Sequence, residues 1–306
     1  MQAVQFDHYG DVDVLEVRTV PDPVAGPGEV VVAVRAAAIN PGEIAIRTGF
    51  FEEQFPATFP LGQGSDFSGV VAQVGPGVEG IAVGDEVLGW THDRASQAEL
   101  VRVPADHLTA KPAALGWDVA ATLFVAPLAG VAALEAVAPV AGEVIVVSGA
   151  AGGAGLTAAQ LAVAGGVTTI GLASAGNHEW LRSRGVVPVA YGEGQAERIR
   201  AAADGRPIAA FVDTFGQGYA DLALELGVPR SSISTIIDMP AVERLGITWS
   251  SSSELVSAER LGWLADLVAR GTVEIPIQAT YPLAEVRAAY TRLAERHGRG
   301  KIVLAP

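Results

Sequence analysis

The stretch from Glu143 to Ala162 constrains the fold more than any other part of the chain. An apolar strand, Glu143-Val144-Ile145-Val146-Val147, runs through Ser148 into Gly149-Ala150-Ala151-Gly152-Gly153-Ala154-Gly155. The helical run Leu156-Thr157-Ala158-Ala159-Gln160-Leu161-Ala162 follows directly. A glycine turn in that setting aims backbone N–H groups and the positive end of a helix at one point, where a Cβ would block close approach, and this is what a dinucleotide pyrophosphate requires. The strict G-x-G-x-x-G register is broken, because Ala150 stands at its first position; Gly149, Gly152 and Gly155 recur every third residue instead. The competing reading is a structural turn with no ligand. Strand before, helix after and a further strand in place favour the dinucleotide.

Around this unit the chain alternates strand and helix: Thr168 to Ala173, a helix from Asn177, Phe211 to Thr214, Ser232 to Ile237. Such alternation predicts an α/β fold with a doubly wound parallel sheet. The first hundred residues have a different texture. Val30 to Val34, Val70 to Val74 and Asp85 to Gly89 are short β-rich runs set between Gly and Pro turns, which reads as a small barrel-like β domain. Asp118 is the expected N-cap of an Ala-rich helix covering the apolar tract Val119 to Leu134. At the end come a helix from Ser257 to Arg270, a run from Val273 to Ala279, a helix from Leu283 to Arg296 and the strand Lys301 to Leu304. The 306 residues amount to about twice a usual domain, so two domains fit. A net charge of −14 argues against nonspecific nucleic-acid binding. The start carries neither a secretory signal nor an Arg-rich transit peptide, and the apolar tract 119–134 is too short and interrupted to be a membrane span, so a cytoplasmic protein is expected.

The second strand of the α/β unit ends in Ser174-Ala175-Gly176-Asn177. An NAD site usually places Asp or Glu here to accept from the ribose 2′-hydroxyl, and that charge would repel a 2′-phosphate. None is present. Ser174 and Asn177 can donate to a phosphate instead, with Tyr191 a further candidate, which points to NADPH. The alternative is that Ser174 and Asn177 simply cap the helix.

Several ordered motifs resemble the medium-chain dehydrogenase/reductase superfamily, in its zinc-free quinone oxidoreductase (zeta-crystallin-like) branch. They are Ala38-Ile39-Asn40-Pro41-Gly42-Glu43 with Arg47, Gly64-Ser65-Asp66-Phe67-Ser68-Gly69-Val70-Val71, Val83 to Val87, Gly149 to Gly155, Asp213-Thr214 and Arg299-Gly300-Lys301-Ile302-Val303-Leu304. The resemblance implies a GroES-like β-rich catalytic domain made from both chain ends, 1–115 and 253–306, enclosing a Rossmann NADPH-binding domain, 116–252. It also implies a homodimer, for which Gly246 to Ser250 is the candidate edge strand, and a cofactor site of Gly149, Ala150, Gly152, Gly153, Ala154, Gly155, Ser174, Asn177, Tyr191, Phe215, Ile237 and Lys301.

In the alcohol dehydrogenase branch the catalytic zinc is held by Cys, His and Cys; the matching positions here carry Asn40, Ser65 and a residue near Leu128. The chain has no cysteine at all. An Asn, a Ser and a Leu offer neither thiolate nor imidazole, so no zinc is expected. Without a Lewis acid the feasible chemistry is hydride transfer to an acceptor that is already electron-poor: a quinone first, an α,β-unsaturated carbonyl as the alternative. A third reading, from another class, is a non-catalytic NADPH-binding protein.

By the same resemblance Asn40 is the residue that hydrogen-bonds the acceptor oxygen, and Phe50 and Phe51 stand where the branch often has a Tyr at the cleft rim. Glu43 and Arg47 are expected to form an ion pair, and Asp66 to face Arg47. Phe50, Phe51, Phe55 and Phe59 are expected around the acceptor. The five His, at 8, 92, 107, 178 and 297, show no metal-like spacing and read as surface residues. No strong general acid can be named.

Overall fold

The computed structural model describes residues 1–53, 56–296 and 298–306; Phe55 and His297, singled out above, lie outside them. Three sheets organise the described residues. The parallel one has six strands in the order Val187–Val189, Thr168–Leu172, Val144–Val147, Ile208–Asp213, Ile233–Thr235, Thr248–Trp249. The first strand in sequence is therefore central, with later strands added to both sides; in such sheets ligands bind beyond the C-terminal strand ends where the winding reverses. All four residues of Val144–Val147 are buried, as a strand covered on both faces requires. Helix Gly153–Ala164 packs over this strand through Ala158, Ala159 and Ala162, small enough for a close approach.

A second sheet is built around the ten-residue strand Glu29–Ala38. It pairs antiparallel with Asp66–Val74 and Leu100–Pro104, and near its end with the C-terminal strand Lys301–Ala305. Register shifts in its pairing with Asp66–Val74 turn the sheet toward a barrel. Lys301–Ala305 lies parallel to Ile277–Pro282, so the end of the chain does return to the β-rich part. A three-stranded antiparallel sheet of Glu16–Thr19, Gln2–Phe6 and Leu61–Gly62 completes it. The architecture is a GroES-like β-rich unit with a Rossmann unit.

The expected continuous helix over 119–134 is broken. Trp117–Ala120 is a single turn with Gly116 at its N-cap, and the long helix spans Val125–Val137. Asp118 caps neither; its Oδ2 accepts from the Thr280 hydroxyl at 2.9 Å. The run expected at 273–279 forms its strand later, at Ile277–Pro282. Among the described residues no helix is long and apolar enough to cross a membrane.

Candidate active site

The glycine turn sits where the sheet's winding reverses, and its shape is held from the neighbouring strand end. Ser148 Oγ donates to Asp213 Oδ1 at 2.6 Å and accepts from Thr214 N–H at 2.8 Å, while Thr214 Oγ1 donates to the Ser148 carbonyl at 2.7 Å. The buried Asp213 carboxylate also accepts from the N–H groups of Phe215 and Gly216, both at 3.0 Å, and from Thr235 Oγ1 at 2.9 Å. Three strand ends are thereby tied to one carboxylate, which sets the Phe215-Gly216 loop beside the turn. Ile237 follows the next strand and is 41% exposed, close to Gly216.

Within the turn each residue has a distinct setting. Gly149 has φ +59°, a conformation that favours glycine. Ala150 is fully buried and its N–H bonds the Leu172 carbonyl at 3.1 Å, so its side chain belongs to the core. Ala154 is likewise buried. Gly155 lies against the Gly149 backbone: a Cβ there would come within 2.3 Å of the Gly149 carbonyl oxygen. A Cβ on Gly152 meets only that same oxygen, at 3.4 Å, and otherwise open space. The N–H groups of the first helical turn, from Gly153 onward, have no intrahelical partner. The turn thus has the free donors and the open approach that a pyrophosphate needs.

After Thr168–Leu172, Ser174 and Asn177 are bonded to each other, Nδ2 to Oγ at 3.0 Å. Neither side chain makes a capping bond to the helix His178–Ser183 or to the short turn before it. Both stand at N-cap positions without a side-chain capping bond, Ser174 exposed and Asn177 half-buried. Tyr191, 47% exposed, follows the adjacent strand Val187–Val189, and the Arg198 guanidinium braces its loop through the carbonyls of Ala190 and Glu193.

The terminal strand connects this region to Asn40. Gly300 N–H donates to the Ala151 carbonyl at 2.8 Å, and the Lys301 stem runs so close to Gly153 that a Cβ there would meet Lys301 Cδ at 2.8 Å. The ammonium ends between the Ile39 carbonyl, 3.0 Å away, and Asn40 Oδ1. Asn40 Nδ2 donates to Asp66 Oδ2 at 2.7 Å and, more weakly, to Glu43 Oε1 at 3.3 Å. Asn40, Glu43, Asp66 and Lys301 are all buried. Burial pushes the Asp66 carboxyl up and the Lys301 ammonium down, and the charge of each draws the other back toward its ionised form.

Asp66 does not face Arg47. Its Oδ1 accepts the N–H groups of Phe124 at 3.0 Å and Val125 at 2.8 Å, capping the helix Val125–Val137 from another strand. Nor does Glu43 pair with Arg47. Glu43 Oε2 takes the N–H of Asn40 at 3.0 Å, Gln97 Nε2 at 3.3 Å and the Tyr290 hydroxyl. Arg47 lies over the Tyr290 ring at 5.2 Å and reaches Asp11 at 3.6 Å and the Gly10 carbonyl at 3.4 Å. Gln97 and Tyr290 were not singled out in the sequence, where neither stands in a motif.

Phe50 is 75% exposed and meets Phe51 edge-on at 4.9 Å, whereas Phe59 packs on Phe6 and Tyr9 in the core of the N-terminal sheet. Phe59 thus packs apart from the Phe50–Phe51 pair. His92 and His107, far apart in sequence, come together on Trp90: His107 stacks on its ring at 4.4 Å, and the indole N–H points at His92 Nε2, 3.3 Å away. Among the described residues no group of three or more His, Cys, Asp or Glu is placed to hold a metal ion.

Residues 26–139 match the family described as alcohol dehydrogenase GroES-like domain, and residues 105–304 the one described as zinc-binding dehydrogenase. The chain is 31% identical to a quinone oxidoreductase of Pseudomonas aeruginosa over 99% of both chains. It is 30% identical to a 2-methylene-furan-3-one reductase of Solanum lycopersicum, covering all of this chain and 79% of that one. A mycobacterial structure solved in complex with NADPH matches over the whole of both chains with a TM-score of 0.85 and 26% identity. The chain is therefore an oxidoreductase of the medium-chain dehydrogenase/reductase superfamily and belongs with its quinone oxidoreductase-like members.

Proposed function

We propose that the protein reduces electron-poor acceptors, quinones first, with NADPH and without zinc. The observation that carries this reading is the junction made by the terminal strand: Gly300 and Lys301 tie the glycine turn to the buried cluster of Asn40 and Asp66. The cofactor residues are those proposed from the sequence, with Ala154 acting through its backbone and Ala150, whose N–H is taken by the Leu172 carbonyl, shaping the turn. Bound NADPH supplies the hydride. The chain's own part is orientation: the Lys301 ammonium on Oδ1 and Asp66 on Nδ2 fix the Asn40 amide in a single orientation beside the acceptor. The positions that would hold zinc do not suit it. The Asn40 amide oxygen already faces an ammonium, and Leu128 is a fully buried aliphatic side chain.

A domain division at 115/116 and 252/253 is supported by the sheets, since the strands from Val144 to Trp249 form the parallel sheet and those on either side belong to the others. A homodimer is supported by Thr248–Trp249, which lies at the edge of that sheet with one side unpaired among the described residues. An enone acceptor is the second reading, favoured by the tomato relative's name. A panel of quinones and enones with NADPH consumption as readout separates the two, and inactivity toward every member of both classes would remove the reductase reading.

Cofactor choice has its own test. A carboxylate at position 174 would repel the 2′-phosphate and accept from a ribose hydroxyl. Ser174→Asp is expected to lower kcat/KM for NADPH by on the order of 100-fold, about 3 kcal/mol, while leaving or improving that for NADH. Equal losses with both cofactors would show that residue 174 does not read the phosphate.

A further inference from the structure

Glu43 is a buried carboxyl group that the reading above leaves without a task. Among the described residues no Lys or Arg forms an ion pair with it, and Arg47, one helical turn on, is turned toward Asp11. Its two oxygens are unequally used. Oε2 already takes three donors, from Asn40 N–H, Gln97 and Tyr290; Oε1 has only the long contact from Asn40 Nδ2. A proton on this group therefore belongs on Oε1. There it would face the Asn40 amide N–H, donor against donor, and an acceptor oxygen brought to the pair would satisfy both.

Around the carboxyl lie buried polar atoms. Both amide atoms of Gln63, Ser96 Oγ, Gln97 Oε1 and Arg47 Nη1 are buried without a partner among the described residues. Gln63, Ser96 and Gln97 stand on paired segments: Gln97 N–H bonds the Gln63 carbonyl at 3.0 Å, and Ser96 N–H bonds that of Gly64 at 3.3 Å. Gln97 Nε2 bonds the Tyr290 hydroxyl at 2.7 Å as well as Glu43. Polar atoms buried in this way are ordinarily met by water.

We propose that Glu43 is the proton donor of the acceptor site, delivering from Oε1 beside Asn40, held in place at Oε2 by Tyr290 and Gln97, and recharged at Oε1 by a proton from water. This rests on the reductase reading. The hydride from reduced cofactor brings the acceptor two electrons; the Glu43 Oε1–H bond then breaks with its electron pair left on the carboxylate, an O–H bond forms at the acceptor oxygen, and a proton from water restores the acid. Asp66, Lys301, Arg47, Arg94 and Tyr290 are the charged and titratable groups facing Glu43. Burial pushes Glu43 up to about 7, against the opposing hydrogen bonds from Tyr290 and Asn40. The neutral acid is the working form, so turnover falls as pH rises through that value.

The test is kcat against pH with NADPH and 1,4-naphthoquinone for the full chain, Glu43→Gln and Tyr290→Phe. The full chain should lose turnover above about pH 7. Glu43→Gln should lower kcat at pH 6 by on the order of 100-fold and abolish the pH limb, with KM for NADPH little changed. Tyr290→Phe removes a hydrogen bond that holds the carboxyl down, so its limb should move to higher pH. A merely structural role would lower kcat equally at all pH values and leave the limb in place, which overturns the proposal. If Glu43→Gln does not fold, Tyr290→Phe decides alone: an unmoved limb counts against Glu43. A full chain inactive toward quinones and enones overturns the reductase reading and this one with it, whereas an active full chain with an unmoved limb overturns only the role of Glu43.

Discussion

Replacing Asp66 with alanine is expected to lower the melting temperature by on the order of 10 °C, from a loss of roughly 3–5 kcal/mol, and to leave no measurable turnover. Three separate supports are lost at once. The helix Val125–Val137 loses the acceptor of its Phe124 and Val125 N–H groups. Asn40 Nδ2 loses its shorter bond, of 2.7 Å. The buried Lys301 ammonium loses its main opposing charge and is left with a carbonyl and an amide oxygen. Uncompensated burial of that charge is the largest of the three. Asp66→Asn divides them: it retains an oxygen for the helix but neither the charge nor, toward Asn40, an acceptor in place of a donor, so it should recover part of the stability and little of the activity. Thermal denaturation of both variants is the measurement. Asp221→Asn, which breaks a surface pair with Arg244, is the control that should leave the melting temperature unchanged. A melting temperature for Asp66→Ala equal to that of the control would mean the cluster is dispensable for folding.

The role of Asp66 also shows where reading the sequence stops. The glycine turn is legible because strand, turn and helix are contiguous, and the chemistry of a turn is local. The same is true of Ser174 and Asn177, although only the structure shows that their side chains bond each other rather than the helix end. Asp118 looked like a cap because it precedes an apolar run, yet the long helix starts further on and is capped by a carboxylate 59 positions before Val125. Spacing offered Arg47 as the partner of Glu43; what meets Glu43 is Tyr290, 247 positions away. Contacts of that separation are fixed by how the terminal helix and strand return to the β-rich unit, and no local pattern carries them. What the sequence lacked was the arrangement of buried polar partners, since each of these residues taken singly reads as an ordinary surface type.

Two glycines of the turn should both lose NADPH affinity on replacement by alanine, but only one of them should also lose stability. Gly155→Ala places a Cβ 2.3 Å from the Gly149 carbonyl oxygen and 2.9 Å from Thr214 Oγ1, and most of what it meets is backbone. Either the helix Gly153–Ala164 moves off its strand or the turn opens, at a cost of about 1–3 kcal/mol, so stability and NADPH affinity should fall together, the affinity by 10-fold or more. Gly152 has φ −84°, which any residue adopts, and a Cβ there touches nothing closer than 3.4 Å. Neither strain nor packing requires glycine at that position. What remains is the space in front of the helix end, which a cofactor phosphate would occupy. Gly152→Ala should therefore keep the melting temperature of the unliganded protein, lose NADPH affinity by a comparable factor, and show little of the rise in melting temperature that bound NADPH confers. Titration calorimetry and paired melting curves with and without NADPH distinguish these outcomes. If Gly152→Ala bound NADPH as tightly as the parent chain, the pyrophosphate would have to lie elsewhere than at this turn.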